Sequence, residues 1–122
     1  MFDAQLLFPG SIPATGIMVY SPWFPRQGDS LRATADIIQV NGATLKVEIF
    51  SKNLEDTGDG TNADAATNIT SGATGRTTAE WTSGTATLKE LVRYRFKVTG
   101  AVVSDWVLFR MLSPVWFNSV KA

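Results

Sequence analysis

Histidine and cysteine are both absent from this chain of 122 residues, and each absence removes a class of chemistry. A chain without histidine lacks the commonest general base, the serine–histidine relay and the commonest metal ligand. A chain without cysteine has neither a disulfide framework nor a thiol nucleophile, and small secreted domains often carry such disulfides. The glycine-rich stretches GDG and SGATG lack the strand–loop–helix context of a phosphate site. We therefore expect no enzyme and no cofactor.

An excess of charge and a long apolar run are lacking as well. Eleven Lys and Arg residues balance eleven Asp and Glu residues, so the field of the whole molecule cannot steer it onto nucleic acid or an anionic membrane. No apolar run approaches the roughly 20 residues that span a bilayer. The start MFDAQLLFPG also lacks the basic and long apolar regions of a signal peptide. We expect a soluble protein made in the cytoplasm, with neither nucleic acid nor membrane as its partner.

What the chain does carry is a set of signals for β-structure. Residues 31–40 and 43–52 are strand-like and flank Asn41-Gly42, a pair that predicts an antiparallel hairpin because both residues tolerate positive φ. Residues 92–98 alternate strictly between apolar and basic side chains, which indicates a strand with one buried face. The apolar set is Val92, Tyr94, Phe96 and Val98, and the basic set is Arg93, Arg95 and Lys97.

No segment shows apolar residues at helical spacing, and short strands are punctuated by Gly and Pro throughout. This pattern is typical of two antiparallel sheets packed over one core. The sequence therefore predicts an all-β fold, a single-domain antiparallel β-sandwich or jelly roll covering residues 1–122. Residues 1–12 form a candidate N-terminal arm, and residues 53–75 are predicted to be a long polar loop.

The stretch NLEDTGDGTNADAATN, residues 53–68, is acidic and contains no basic residue. An EF-hand needs oxygen ligands at loop positions one, three and five and a glutamate at position twelve. A loop starting at Asp56 has glycine at positions three and five, and one starting at Glu55 has Ala66 at position twelve, so neither meets that pattern. A looser calcium site formed by Asp56, Asp59 and Asp64 stays open. The alternative is a connection in which Gly, Asn and Asp adopt turn dihedrals. We prefer the connection and expect no metal.

Two carboxylates offer the remaining route to an enzyme. Asp36 and Glu48 would face each other across the predicted hairpin, and paired carboxylates can hydrolyse glycosides. Acidic residues on neighbouring strands are far more often solvated surface groups, and a shallow domain of this size rarely encloses a substrate. A small glycoside hydrolase is therefore only the third interpretation of the chain.

The basic row Arg93, Arg95 and Lys97 is the one concentrated positive feature. A platform for single-stranded nucleic acid would need aromatic rings on the same face, whereas Tyr94 and Phe96 are expected to point the other way. A plain solvated face is one alternative. The other is contact with an acidic patch on a partner protein, or with the acidic loop of a neighbouring copy.

Tryptophan offers a rival binding function. Trp81, Trp106 and Trp116 could form a sugar-stacking platform of the kind found in carbohydrate-binding β-sandwiches, although Trp106 and Trp116 lie in apolar strand sequence that favours core packing. Trp23 lies between two prolines in SPWFP and is the best candidate for an exposed anchor. The alternative for Trp23 is a lid on the end of the core.

Both ends of the chain are rich in large apolar residues, where termini are usually polar. The first segment contains Phe2, Leu6, Leu7 and Phe8, and PVWFNSV lies near the other end. Such residues either form terminal strands or are buried against another chain. The predicted partner-binding residues are therefore Phe2, Leu6, Leu7, Phe8, Trp23, Arg93, Arg95 and Lys97.

The stretches SPWFPRQGDSLRATADI and NGATLKVEIFSKNLEDTGDG resemble β-rich segments of small structural proteins from tailed-phage particles, particularly capsid decoration or cement proteins. The resemblance implies a virion protein without chemistry of its own. Such a protein binds a major capsid protein or another virion protein in many copies, or as a homo-oligomer, and adds contact area where subunits meet. A carbohydrate-binding β-sandwich module is the alternative expectation.

Overall fold

The computed structural model describes residues 5–7, 17–100 and 106–118. Within these ranges the chain forms eleven strands and one 3-10 helix, Ala65–Thr67. The strands are β1 Gln5–Leu7, β2 Ile17–Tyr20, β3 Phe24–Pro25, β4 Ser30–Asn41, β5 Ala43–Lys52, β6 Thr61–Asn62, β7 Ile69–Ser71, β8 Gly75–Trp81, β9 Leu91–Gly100, β10 Trp106–Met111 and β11 Val115–Phe117.

The strands make two antiparallel sheets. In the first sheet, β4 is central: β10 and β11 pair with successive parts of one side, β8 pairs with the other side, and β1 extends the sheet beyond β10. In the second sheet, β9 lies between β5 and the short strands β2 and β3, and β6 and β7 pair with the far side of β5. The predicted all-β sandwich is confirmed.

The hairpin predicted at Asn41-Gly42 is wrong. β4 and β5 have nearly the predicted bounds, but they belong to different sheets and form no ladder with each other. Gly42 has the positive φ of 75° that the Asn-Gly pair indicated. The chain uses that conformation to turn from one sheet into the other, because β4 finds its partners in β8 and β10, and β5 finds its main partner in β9. An Asn-Gly pair specifies a turn and not which strands pair.

The segment predicted to be one long polar loop is partly regular. Between residues 53 and 75 it contains β6, β7 and the 3-10 helix, and both strands pair with β5. At the other end of the chain, Gln5–Leu7 forms a three-residue edge strand on β10. The rest of the candidate arm 1–12, including Phe2 and Phe8, and the side chains of Leu6 and Leu7 lie outside what the structure describes.

The core lies between the two sheets and is built from the alternating inward side chains. Tyr94, Phe96 and Phe109 are buried and form a chain of ring contacts, with centroids 5.8 Å apart for the first pair and 5.2 Å for the second. Trp81, at the end of β8, is fully buried. Burying each such side chain is worth roughly 1.5–3 kcal/mol, so these rings anchor the two sheets together.

A β-bulge near the end of β4 changes which side chains of this strand face the core. Phe109 pairs with Ile37 while Leu108 pairs with Gln39, so Ile38 is the extra residue. Ile38 faces outward and is 42% exposed, as alternation alone requires; the bulge turns Gln39 outward as well and lets Val40 pack against the core.

Candidate binding surface around Trp23

The outer face of the second sheet collects both cations and aromatic rings. β9 contributes its basic row, as predicted, and the apolar side chains of the same strand point into the core. β5 and β2 lie on either side of β9 and add side chains to the same outer face. We call this face together with the adjacent Trp23 the Trp23 surface; its members are Met18, Tyr20, Trp23, Lys46, Glu48, Phe50, Lys52, Arg93, Arg95 and Lys97.

Arg95 is fixed in place by a buried carboxylate. Its Nε donates a hydrogen bond to Glu48 Oε1 at 2.6 Å, and the Glu48 side chain is only 4% exposed. Asn62 Nδ2 donates to the other oxygen of Glu48 at 3.2 Å. The guanidinium of Arg95 also lies 4.5 Å from the ring centroid of Phe50. The hydrogen bond to Glu48 raises the pKa of Arg95 above its ordinary value, which keeps this cation charged at any physiological pH.

Arg93 is packed between two rings. Its guanidinium carbon lies 4.0 Å from the ring centroid of Tyr20 and 4.4 Å from that of Trp23. The ammonium of Lys52 lies 4.7 Å from the same Trp23 ring. Cations over aromatic faces attract the ring quadrupole by about 0.5–1 kcal/mol each, and more when water is excluded. Because the Arg93 side chain is only 12% exposed, these contacts order both rings before any partner arrives.

Tyr94 and Phe96 point into the core and away from the basic row, as predicted. Three aromatic rings from other parts of the chain nevertheless share the face of the basic row. These rings are Tyr20 on β2, Phe50 on β5 and Trp23 in the connection to β3, and of the three only Trp23 was predicted as a binding residue. Their period-two positions were visible in the sequence, but which strands flank β9 was not.

The acidic loop folds back onto this surface of its own chain. Arg93 Nη2 lies 3.3 Å from Asp59 Oδ1, and Lys52 Nζ donates to the carbonyl of Gly58 at 3.2 Å. Gly60 closes the loop with a φ of 79°. A Cβ at Gly60 would lie 2.7 Å from the Ser51 carbonyl oxygen and 3.0 Å from Cη2 of Trp23. Because glycine has no side chain, the loop can approach β5 and the indole of Trp23 this closely.

The three calcium candidates serve separate turns. Asp56 accepts a hydrogen bond from the amide of Asn53 at 2.9 Å, and Asp59 contacts Arg93. Asp64 caps the 3-10 helix by accepting from the Ala66 amide at 3.1 Å. Over residues 5–7, 17–100 and 106–118, no group of three or more acidic side chains could hold a metal ion. These bonds favour the interpretation of the segment as a turn-forming connection.

An aromatic cleft of about 360 Å³ adjoins Trp23. It lies between the β2–β3 connection, which belongs to the second sheet, and the β10–β11 connection, which belongs to the first. Its lining residues are Pro22, Trp23, Phe24, Gln27, Ser113, Pro114 and Trp116. The rings of Phe24 and Trp116 meet edge to face at 6.3 Å. Ser113 Oγ is buried and has no hydrogen-bond partner among the described residues.

The structure also bears on the carboxylate pair and on the tryptophan platform. Asp36 and Glu48 lie in different sheets and on outer faces, so they do not form the carboxylate pair that glycoside hydrolysis requires. The alternative of a sugar-stacking platform formed by three tryptophans is excluded for Trp81, which is buried in the core, and the side chain of Trp106 is outside what the structure describes. Trp116 is half-buried and lines the cleft with Trp23.

No helix in the described ranges is long and apolar enough to cross a membrane. Comparison of the chain with protein-family models, with curated proteins and with solved structures found no match.

Proposed function

We propose that this chain is a non-enzymatic structural protein of a virion, a capsid decoration or cement protein that docks on a shell protein through the Trp23 surface. The observation that carries the proposal is the stack of Tyr20, Arg93 and Trp23, in which the guanidinium lies within 4.4 Å of both ring centroids. Tryptophan, tyrosine and arginine are the residues that dominate protein–protein hot spots. Side chains that are already ordered lose less entropy on binding, so such a stack binds more tightly than three mobile side chains.

The charge of the surface indicates an acidic partner. This surface carries five cations, Lys46, Lys52, Arg93, Arg95 and Lys97, and within the described ranges their ion pairs are with two carboxylates, Glu48 and Asp59. The five cations exceed these two carboxylates by three charges, on a chain whose net charge is zero. Such an excess orients the protein on its partner and speeds association more than it adds affinity.

The positions of Lys97 and Lys46 oppose folding of the isolated chain. They are direct partners across the β5–β9 ladder, and like charges in that position destabilise a sheet. Glu48 lies 3.9 Å from Lys46, but Lys97 makes no ion pair within the described ranges. An acidic partner would relieve this repulsion, and that gain is available only in the complex.

The decisive variant is Lys97→Glu. It replaces a like-charge pair by an opposite-charge pair, so the isolated domain should become more stable by about 0.2–1 kcal/mol while docking weakens. Particles from the host that carries this gene would be banded on a density gradient, and copies of the chain counted by mass spectrometry. Recombinant variants would then be added to particles depleted of the chain and co-sedimented. We expect Lys97→Glu and Trp23→Ala to lose occupancy.

Two matched variants serve as controls. Lys89→Glu makes the same charge change off the surface, and Leu54→Ala removes a side chain that is 68% exposed and lies outside the Trp23 surface. Both should sediment with the particle as the unaltered chain does. Absence of the chain from purified particles, or full occupancy by both surface variants, would contradict the proposal.

The cleft favours one second candidate, a carbohydrate-binding domain. Trp23 and Trp116 line it together, and an aromatic face suits the apolar face of a pyranose ring. A saturable change in tryptophan fluorescence on titration with glycans, lost in Trp116→Ala, would support sugar binding instead of docking on a shell.

A further inference from the structure

β8 is an edge strand whose outer side has no described partner. Its residues Gly75–Trp81 pair with β4 along one side, and no backbone hydrogen bond joins the other side to residues in the described ranges. The 3-10 helix lies near this strand but makes no backbone hydrogen bond with it. At seven residues, β8 is longer than the other outermost strands that the structure describes, which have two to four residues. An unpaired edge of this length is a template for another strand.

The sequence of β8, GRTTAEW, is complementary to itself when read antiparallel. If two copies pair about a twofold axis at Thr78, then Thr78 faces Thr78 of the second copy and Arg76 faces Glu80 of the second copy, twice over by symmetry. Both charged side chains are on the outer face and are accessible, with 66% of the Arg76 side chain and 41% of the Glu80 side chain exposed. Opposite charges directly across an antiparallel pair stabilise it.

The same pairing would continue the charge pattern that already crosses the first sheet. Within one chain, Asp36 lies between Arg110 and Arg76 on adjacent strands, at 3.8 Å and 4.0 Å. Glu80 pairs with Arg32 at 2.5 Å. Placed edge to edge, two copies would carry one row of alternating sign from Arg110 through Asp36 and Arg76 to Glu80 and Arg32 of the second copy.

We infer that β8 is the homodimer interface of this protein, joining two copies into one continuous antiparallel sheet about a twofold axis through Thr78. A twofold interface needs a surface that is complementary to itself, and this strand has that property. This interface would join the copies of the chain that the proposed function places on a shell, and in that respect it rests on the proposed function. It leaves the Trp23 surface free, because that surface lies on the other sheet.

Charge reversal tests the pairing with the isolated full-length chain. Arg76→Glu alone places like charges opposite each other at both symmetric positions, and so does Glu80→Arg alone. Each variant should weaken self-association in sedimentation velocity by about tenfold or more. Mixing the two variants in equal amounts restores both opposite-charge pairs, so a heterodimer should form. A wild-type chain that stays monomeric at 100 µM, or a mixture that associates no better than its parts, would overturn the inference.

A single cysteine provides the second test, because the chain contains none of its own. Two Thr78→Cys residues on the twofold axis would have Cα atoms roughly 4.5–5.5 Å apart, which is within reach of a disulfide. Mild oxidation should convert most of this variant to a covalent dimer. Thr57→Cys, exposed in the acidic loop, is the matched control and should cross-link poorly. Equal cross-linking by both variants would contradict the interface. Since no shell protein is present, failure here is distinct from failure to dock.

Discussion

Replacing Gly60 with alanine tests whether the acidic loop holds Trp23 in place. The new Cβ would meet the Ser51 carbonyl oxygen at 2.7 Å, and that oxygen belongs to the backbone of β5, which cannot move without disturbing its ladder with β9. The φ of 79° adds a cost for any residue with a side chain. Together we expect a loss of about 2–4 kcal/mol in the free energy of unfolding.

Gly58→Ala is the matched control in the same loop. A Cβ there would have no heavy atom within 4 Å, and this glycine is not among those with positive φ, so its effect should stay within about 0.5 kcal/mol. Both variants would be unfolded in urea with tryptophan fluorescence as the signal. A Gly60→Ala chain as stable as Gly58→Ala would refute the close approach of the loop at Gly60 to the backbone of β5 and to Trp23.

Four further predictions concern the fold and its ends. Gly42→Val should cost about 1–3 kcal/mol because the corner between the sheets needs a φ of 75°; an unchanged melting temperature would contradict this corner. Burial raises the pKa of the Tyr94 hydroxyl above its ordinary value. The contribution of this group to the free energy of unfolding is therefore complete below about pH 10 and falls as the pH rises, by up to about 1.4 kcal/mol per pH unit. Tyr94→Phe should reduce that fall, and a pH profile of stability that the substitution leaves unaltered would count against this role of Tyr94. Deleting residues 1–8 removes a three-residue edge strand, so circular dichroism should still show a folded domain. Occupancy on particles should drop, because the deletion also removes the predicted partner-binding residues Phe2, Leu6, Leu7 and Phe8. An unfolded product would make this segment part of the core. Millimolar calcium should leave the melting temperature unaltered, whereas an upshift of several degrees would restore the calcium site.

Local patterns predicted individual strands well. The strict alternation of residues 92–98 predicted a strand and the side chains on each of its faces, because a period of two depends only on neighbours in sequence, and β9 extends this segment to Leu91–Gly100. Strand pairing depends on contacts between distant residues, and for that reason Asn41-Gly42 was assigned to a hairpin between two strands that lie in different sheets. The bulge at Ile38 was equally invisible, since it exists only relative to β10.

The candidate site was predicted in part for the same reason. Trp23 was singled out by the two prolines around it, and the structure places it beside Arg93 of the predicted basic row. Tyr20 and Phe50 were missed because only the pairing of β2 and β5 with β9 brings them to the same face. The burial of Trp81 was not predicted, because its neighbours in sequence are polar or glycine and do not indicate that it lies at the buried end of β8.

Docking of the Trp23 surface on a shell protein would be visible in an electron cryomicroscopy map of the particle from the host of this gene, at a resolution that distinguishes the two sheets. We expect density for this sandwich on the shell, with the outer face of β2, β5 and β9 against the capsid subunit and acidic side chains opposite Lys46 and Lys97. A sandwich bound with this face open to solvent, or a shell without the sandwich, would refute docking through this surface.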